Sequence, residues 1–358
     1  MQALARQFAE RIRAAAAEGA ALRLRGGGTK DFYGCEPRGE TLDVRAYTGI
    51  VSYEPTELVV TARCGTPLAE LEAALARERQ ILAFEPPHFA GTTGASASVG
   101  GCVAAGLSGP RRASAGAVRD FVLGARILDG RGRELSFGGQ VMKNVAGYDV
   151  SRTLAGSLGT LGLILEVSLK VLPRPMDEVT LRLEMPEARA IEQLNRWAAS
   201  PLPVSATAWR DGDLGVRLSG SESALRAAFE QLGGDRVERV QAERFWHGIR
   251  EHADPFFSGD APLWRLSLPS HAPAIDLPGE QLIEWGGALR WFRTGADVDA
   301  VREAARRAGG HATLFRGGDR SHGVFAPLSP ALARLHRELK AAFDPAGILN
   351  PGRMYAEP

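Results

Sequence analysis

The sequence predicts an α+β protein of two domains, the second built on an antiparallel sheet. Three observations carry this expectation. A chain of 358 residues exceeds the usual reach of one hydrophobic core. Strand-like and helix-like stretches alternate, with hairpin turns between strands in the second half. Pro173-Arg174-Pro175 separates two halves of different character.

Residues 3–19 read as a helix, Ala21–Arg25 as a short strand, and Gly26-Gly27-Gly28-Thr29-Lys30 as a loop straight after it. Leu58–Arg63 is a β-branched strand. A helix follows with Thr66 as N-cap and Pro67 at its first position. Leu68, Leu71 and Leu75 give that helix one apolar face. Phe121–Leu128 is a strand turned by Asp129-Gly130, and Leu161–Leu172 is a strand stopped by the proline pair. Beyond it, Val179–Met185 is a strand and Glu187–Ala199 a helix. Val204–Arg210 and Leu214–Leu218 form a hairpin on Asp211-Gly212, and Ser221–Leu232 is a helix. The pattern recurs. Leu282–Trp285 and Ala288–Arg293 pair across Gly286-Gly287, Val298–Ala308 is a helix, and strands lie near Ala312–Phe315 and Gly323–Phe325. Pro330–Phe343 is the last helix.

Composition narrows the function classes. The chain is 44% hydrophobic and 24% charged, with a formal net charge of +1. That balance supplies no field for nucleic acid. The longest apolar runs, such as Leu161–Leu165, fall far short of the roughly 20 residues of a membrane span. The Ala-rich Arg11–Ala21 carries Arg13 and Glu18 and reads as a surface helix rather than a signal peptide, so the expected location is cytoplasmic. The three cysteines, Cys35, Cys64 and Cys102, are isolated. They indicate neither a disulfide framework nor a metal site, and iron–sulfur clusters usually require four thiolates. Core packing is their expected role.

Glycine is the outlier, at 42 of 358 residues, about 12% against roughly 7% on average. Three stretches concentrate it. Arg25-Gly26-Gly27-Gly28-Thr29-Lys30 presents successive N–H groups that suit a diphosphate, or else forms a tight surface turn. It is neither a Walker loop nor a dinucleotide fingerprint, because no helix opens after it. The second stretch contains Gly91-Thr92-Thr93-Gly94, Ser98-Val99-Gly100-Gly101 and Ala104 through Gly109-Pro110-Arg111-Arg112. Its small side chains can line a flat aromatic ligand, while Val99, Val103 and Leu107 at spacing four argue against a loose surface loop. The third runs Lys143-Asn144-Val145-Ala146-Gly147-Tyr148-Asp149, then Gly156-Ser157-Leu158-Gly159-Thr160-Leu161-Gly162-Leu163-Ile164. Its glycines precede a strand, so the nicotinamide-dinucleotide reading fails its context test.

In this order the three stretches resemble the vanillyl-alcohol-oxidase-type flavoproteins, which carry the PCMH-type FAD domain. Together with Glu85-Pro86-Pro87-His88-Phe89 and the tail Phe343–Gly352, they look most like the FAD-binding subunits of bacterial glycolate oxidases. The resemblance covers residues 20–175 and 330–355. It implies a PCMH-type FAD-binding domain of two α+β subdomains at 1–175, an α+β cap domain with an antiparallel sheet at 176–328, and a segment at 329–358 returning to the FAD domain. By the same resemblance Arg25, Gly26, Gly27, Gly28, Thr29 and Lys30 wrap the FAD pyrophosphate. Ser98, Val99, Gly100, Gly101, Ala104, Ser108 and Gly109 line the pyrophosphate and flavin. Thr160, Gly162, Leu163 and Ile164 hold the adenine and ribose side, and Asn350 sits near the flavin. Some relatives tether flavin through a histidine beside the first loop. Thr29 and Lys30 stand there instead, so non-covalent FAD is expected.

The implied activity is flavin-dependent oxidation of a 2-hydroxy acid, glycolate or D-lactate, within a complex. The implied partners are a catalytic flavoprotein subunit and an iron–sulfur subunit. Such oxidation requires a cation for the carboxylate and a base for the hydroxyl proton. Arg320 and His322, in Arg316-Gly317-Gly318-Asp319-Arg320-Ser321-His322, are candidates for clamp and base, the alternative being a solvated loop. His88, His247 and His311 read as structural. The larger catalytic relatives carry a Gly-Asp-Gly-Asn-x-His stretch and a Glu-His pair that hold a metal, and this chain has neither. A self-sufficient alcohol oxidase and a flavin-binding structural subunit therefore stay open beside the complex subunit.

Overall fold

The computed structural model describes residues 1–90, 95–139 and 149–356. Gly91-Thr92-Thr93-Gly94 and Lys143–Tyr148 lie outside the described residues. The chain forms two compact units. The first contains Met1–Leu107, Ala117–Pro173 and Pro327–Pro358, and the second contains Ser108–Gly116 and Arg174–Ala326.

In the first unit, helix Gln2–Glu18 buries Ala5, Phe8, Ala9, Ile12 and Ala15 at helical spacing. It ends at Gly19, which adopts the left-handed φ of 66° that glycine tolerates. Strand Leu22–Arg25 pairs in parallel with Glu40–Asp43. On its other side Leu22 bridges Leu349 in parallel, with Leu22 N donating to Ile348 O and Asn350 N donating to Leu22 O. A segment more than 320 residues downstream thus completes the little sheet that starts the glycine loop.

The same unit holds a five-stranded antiparallel sheet in the order Ile50–Glu54, Val59–Arg63, Leu163–Lys170, Val122–Leu128, Glu134–Gly138. Its central strand is buried almost throughout, with Leu165 and Val167 fully enclosed. Helix Leu68–Arg77 buries Leu68, Leu71 and Leu75 completely, each worth about 2 kcal/mol of transfer free energy. Its N-terminus differs from the expectation. Thr66 is not its cap, because the Thr66 hydroxyl bonds Gly49 N and O instead. Val99–Ala105 is a short helix capped by Ser98, whose Oγ accepts from Gly101 N. The apolar spacing of Val99 and Val103 fits that helix, and both are buried.

The second unit is one eight-stranded sheet. Its order is Asp235–Arg236, Asp177–Glu184, Asp213–Gly220, Val204–Arg210, Glu280–Glu284, Leu289–Arg293, Leu263–Ser267, His311–Arg316. All its pairings are antiparallel. Asp211 and Gly212 both take positive φ, as a two-residue hairpin turn requires. Helices Glu187–Ala198 and Glu222–Leu232 bury Leu194, Trp197 and Leu225 against Trp209, Val216 and Leu218. Helix Val298–Arg307 buries Val301 and Ala305 against Trp264, Phe292 and Leu314. Ala206 and Ala208 point the other way from Trp209 and pack on Trp246 of helix Arg239–Glu251. Gly323–Phe325 is not a strand: Val324 O accepts from Leu314 N, but the carbonyls of Gly323 and Phe325 accept from the Arg302 guanidinium instead of from a neighbouring strand.

Candidate functional site

Loop Gly26–Lys30 lines a groove of the first unit together with Ser98, Gly101, Ala104, Leu158, Asn350 and Arg353. Glycine is required at two points for close approach. A Cβ on Gly26 would stand 2.3 Å from Ser98 Oγ, and one on Gly27 would stand 1.7 Å from Ser96 O. The two loops therefore meet backbone to backbone, and Gly27 N donates to Ser98 Oγ at 3.4 Å. A side chain at position 27 would run into Ser96 rather than into the groove.

The groove is electropositive. Its lining carries Arg23, Arg25, Lys30 and Arg353 against the single carboxylate Asp31. Asp31 bridges the first two, pairing with Arg23 and accepting from Arg25 Nε at 2.8 Å. Lys30 Nζ donates to Thr29 Oγ1 and His88 O and lies 5.6 Å from the Phe89 ring centre. His88 is itself held by Glu72, Nε2 to Oε2 at 2.9 Å. Arg353 donates to the carbonyls of Cys35, Lys30 and Asp31, tying the C-terminal tail to the loop. Cys102, beneath the groove, has its thiol pushed up to about 12 by burial, so it offers no thiolate at neutral pH.

Asn350 is the clamp. Its backbone takes φ of 43°, and its side chain joins Leu24 N to Leu158 O. Gly159 leaves room for it, since a Cβ there would lie 2.8 Å from Asn350 Nδ2. A second cavity of this unit lies beyond Asn350 and Arg353, lined by Thr160, Leu161, His336, Leu339 and Tyr355.

The residues singled out in the sequence separate as follows. Arg25, Gly26, Gly27, Gly28, Thr29, Lys30, Ser98, Gly101, Ala104 and Asn350 share the groove. Val99 and Gly100 are buried in the short helix, where Gly100 allows packing on Cys64; a Cβ there would lie 2.5 Å from Cys64 Cβ. Thr160 lines the second cavity. Gly162 precedes the central strand, and Leu163 and Ile164 pair with Leu128 and Ile127 inside the sheet, away from the lining of both cavities. Ser108 and Gly109 belong to the second unit, where Gly109 O accepts from Trp285 Nε1 at 3.1 Å. Arg320 and His322 sit in a loop of that unit turned by Asp319, whose carboxylate accepts from Ser321 N and Oγ. His322 is exposed, and its carbonyl accepts from Arg302. Arg23, Asp31 and Arg353 escaped sequence reasoning; the alternation of Arg23 and Arg25 on one strand was the available signal.

Comparison with known proteins agrees with this geometry. An "FAD binding domain" family model matches residues 5–138, and a "FAD linked oxidases, C-terminal domain" model matches residues 318–354. The chain is 52% identical over 348 residues to glycolate oxidase subunit GlcE of Escherichia coli (strain K12), covering 97% of this chain and 96% of that one. The chain belongs to the GlcE family of glycolate oxidase subunits. It is also 26% identical to a D-lactate dehydrogenase of Archaeoglobus fulgidus, over 92% of this chain and 85% of that protein. Glycolate oxidase subunit GlcD of Bacillus subtilis is 27% identical, over 73% and 68%. Among solved structures, alkyldihydroxyacetonephosphate synthase gives a TM-score of 0.66 at 16% identity, covering 96% of this chain and 73% of that one. Xylooligosaccharide oxidase from Myceliophthora thermophila C1 gives 0.65 at 15% identity, covering 99% and 90%. These two share the fold. The GlcE-family chain is thus an FAD-binding oxidoreductase of the PCMH type. No helix among the described residues is long and apolar enough to cross a membrane.

Proposed function

We propose that this GlcE-type chain holds FAD non-covalently in the groove between Gly26–Lys30, Ser98–Ala104 and Asn350, and works as one subunit of a glycolate-oxidising complex. One observation carries the reading: main chain from separated segments converges where a Cβ at Gly26 or Gly27 is excluded, beside four cationic side chains. Backbone N–H groups and positive charge are what a dinucleotide diphosphate requires. Arg25, Lys30 and Arg353 supply countercharge there, and Ser98 fixes the loop–helix approach. FAD, when bound, supplies the acceptor for the hydride of the 2-hydroxy acid. Along the sequence Thr29 and Lys30, not a histidine, follow the three glycines, which supports non-covalent attachment.

The relatives' names support glycolate first and D-lactate second as substrates. A catalytic flavoprotein subunit and an iron–sulfur subunit complete the proposed complex, with this chain on the cytoplasmic side. The three free cysteines, two of them buried, cannot hold a cluster on their own.

The test is optical. The isolated chain should show a flavin spectrum, and acid precipitation should leave the colour in solution. Anaerobic glycolate should bleach that flavin only when the partner subunits are present. Colour in the pellet would refute non-covalent binding, and bleaching of the isolated chain would assign it independent turnover. A colourless chain that takes up no added FAD sinks the groove assignment.

A further inference from the structure

In the first unit, the segment Glu85-Pro86-Pro87-His88-Phe89 is held under backbone strain. Two non-glycine residues, Glu85 and Phe89, bracket it with left-handed φ of 47° and 52°. Such values cost energy, persist only where the surroundings enforce them, and point to function. Here the surroundings grip both ends. Phe84 is fully enclosed and meets the Phe121 ring at 5.3 Å between centres, and Phe89 meets Phe32 at 5.6 Å. Pro86 and Pro87 are buried between those anchors, with φ fixed by their own rings.

The residue presented by this segment is His88. Its Nε2 pairs with Glu72 Oε2 at 2.9 Å. Glu72 stands on helix Leu68–Arg77, whose face of Leu68, Leu71 and Leu75 is locked in the core. The His88 carbonyl in turn accepts from Lys30 Nζ at 3.4 Å, and the ammonium lies 5.6 Å from the Phe89 ring centre. Lys30 closes the glycine loop and lines the groove. After burial, the largest cause, the Cys102 thiol is acted on by Lys30 and Glu72 in opposite senses. Both charges therefore lie near helix Val99–Ala105, which borders the same groove. Lysine is among the side chains with most rotamer freedom to lose, so an ammonium already held in place meets an anion at smaller entropic cost.

We propose that Glu72 and His88 are positioning residues for FAD: their pair fixes the His88 carbonyl, and that carbonyl holds the Lys30 ammonium at the groove before the cofactor arrives. The inference rests on the FAD reading of the groove and adds a route from helix Leu68–Arg77 to the glycine loop. It gives the pair no chemistry of its own; the pair acts through Lys30.

A double-mutant cycle on FAD affinity is the test, because a pair that acts through Lys30 has nothing to act on once the ammonium is gone. FAD titrated into the flavin-free full chain, followed by quenching of flavin fluorescence, gives the dissociation constants. Glu72→Leu should weaken FAD binding about fivefold, the equivalent of roughly one hydrogen bond. In the Lys30→Met background the same change should shift the affinity by less than about twofold. Glu72→Gln keeps an oxygen to accept from His88 Nε2 and should recover most of the affinity. Equal weakening in both backgrounds would mean a general loosening of the fold and overturns the proposal, as does undiminished affinity in Glu72→Leu. Should Glu72→Leu not fold, His88→Ala, which keeps the carbonyl and loses the ring, enters the same cycle. A parent chain that takes up no FAD removes the groove reading and this inference with it. A parent that binds FAD but gives an additive cycle removes the positioning role alone.

Discussion

Asn350 Nδ2 donates to Leu158 O at 2.6 Å, while Oδ1 of the same side chain accepts from Leu24 N at 2.8 Å. One amide thereby joins the C-terminal tail to the strand before the glycine loop and to the Gly156–Gly159 turn. Asn350→Ala leaves a buried donor and a buried acceptor unpaired, which costs about 2–4 kcal/mol together. Denaturant unfolding should show that loss, with reduced flavin retention. Asn350→Asp separates geometry from chemistry. One oxygen still accepts from Leu24 N, but the other faces a carbonyl. Repulsion raises the carboxyl pKa in the folded state, so the deficit against the parent is smallest at low pH and grows as pH rises through that raised value. A pH-independent deficit would contradict this.

The glycine loop makes a backbone prediction. Gly27→Ala places a Cβ against Ser96 O, so the loop must move away from Ser98. Most flavin should be lost, read as the 450 nm to 280 nm absorbance ratio. Gly19→Ala is the control. Gly19 also has positive φ, 66°, but open space around it. That variant should lose about 1–2 kcal/mol of stability and keep its flavin. Equal flavin occupancy in both variants would remove the loop from the site.

This contrast shows what local sequence can convey. The run Arg25–Lys30 announced a close approach because three glycines follow a strand. The helix Leu68–Arg77 was legible from Leu68, Leu71 and Leu75, and the Asp211-Gly212 hairpin from its turn residues. Helix Arg239–Glu251 was missed, although Ala242, Trp246 and Ile249 mark its apolar side at comparable spacing. Strand Leu263–Ser267 was also missed. The long-range clamps left no local trace: nothing near Arg353 announces the carbonyls of Cys35 and Asp31. The small residues after Ala104 looked like a single ligand-lining run. The structure divides them, since Gly109 answers to Trp285 and Arg111 to Glu178.

The cysteines give a pH prediction. Burial pushes both Cys64 and Cys102 from 9.0 to about 12. Between those values the unfolded chain loses thiol protons that the folded chain keeps. Folding stability contributed by these thiols is therefore full below pH 9 and falls as pH climbs towards 12. Replacing both by serine or alanine should flatten that part of the stability curve. In native protein at pH 8, alkylation followed by mass spectrometry should modify half-buried Cys35 well before the other two. Rapid modification of Cys102 would contradict its enclosure.

Lys340 anchors the turn that brings Asn350 to the groove. Its Nζ donates to Thr160 O, Leu349 O and Asp344 Oδ2, at 2.8, 2.8 and 2.6 Å. Asp344 is 0% exposed at its side chain and also accepts from Leu349 N at 2.7 Å. Burial lowers the Lys340 pKa while Asp344 opposes the shift. Lys340→Met strands a buried carboxylate and two carbonyls, which costs about 3–5 kcal/mol. Adding Asp344→Asn removes the uncompensated charge and should recover part of that loss. Stability and flavin retention should fall together in the single variant, because the tail that carries Asn350 is released. A double variant less stable than the single would show that charge burial is not the governing cost.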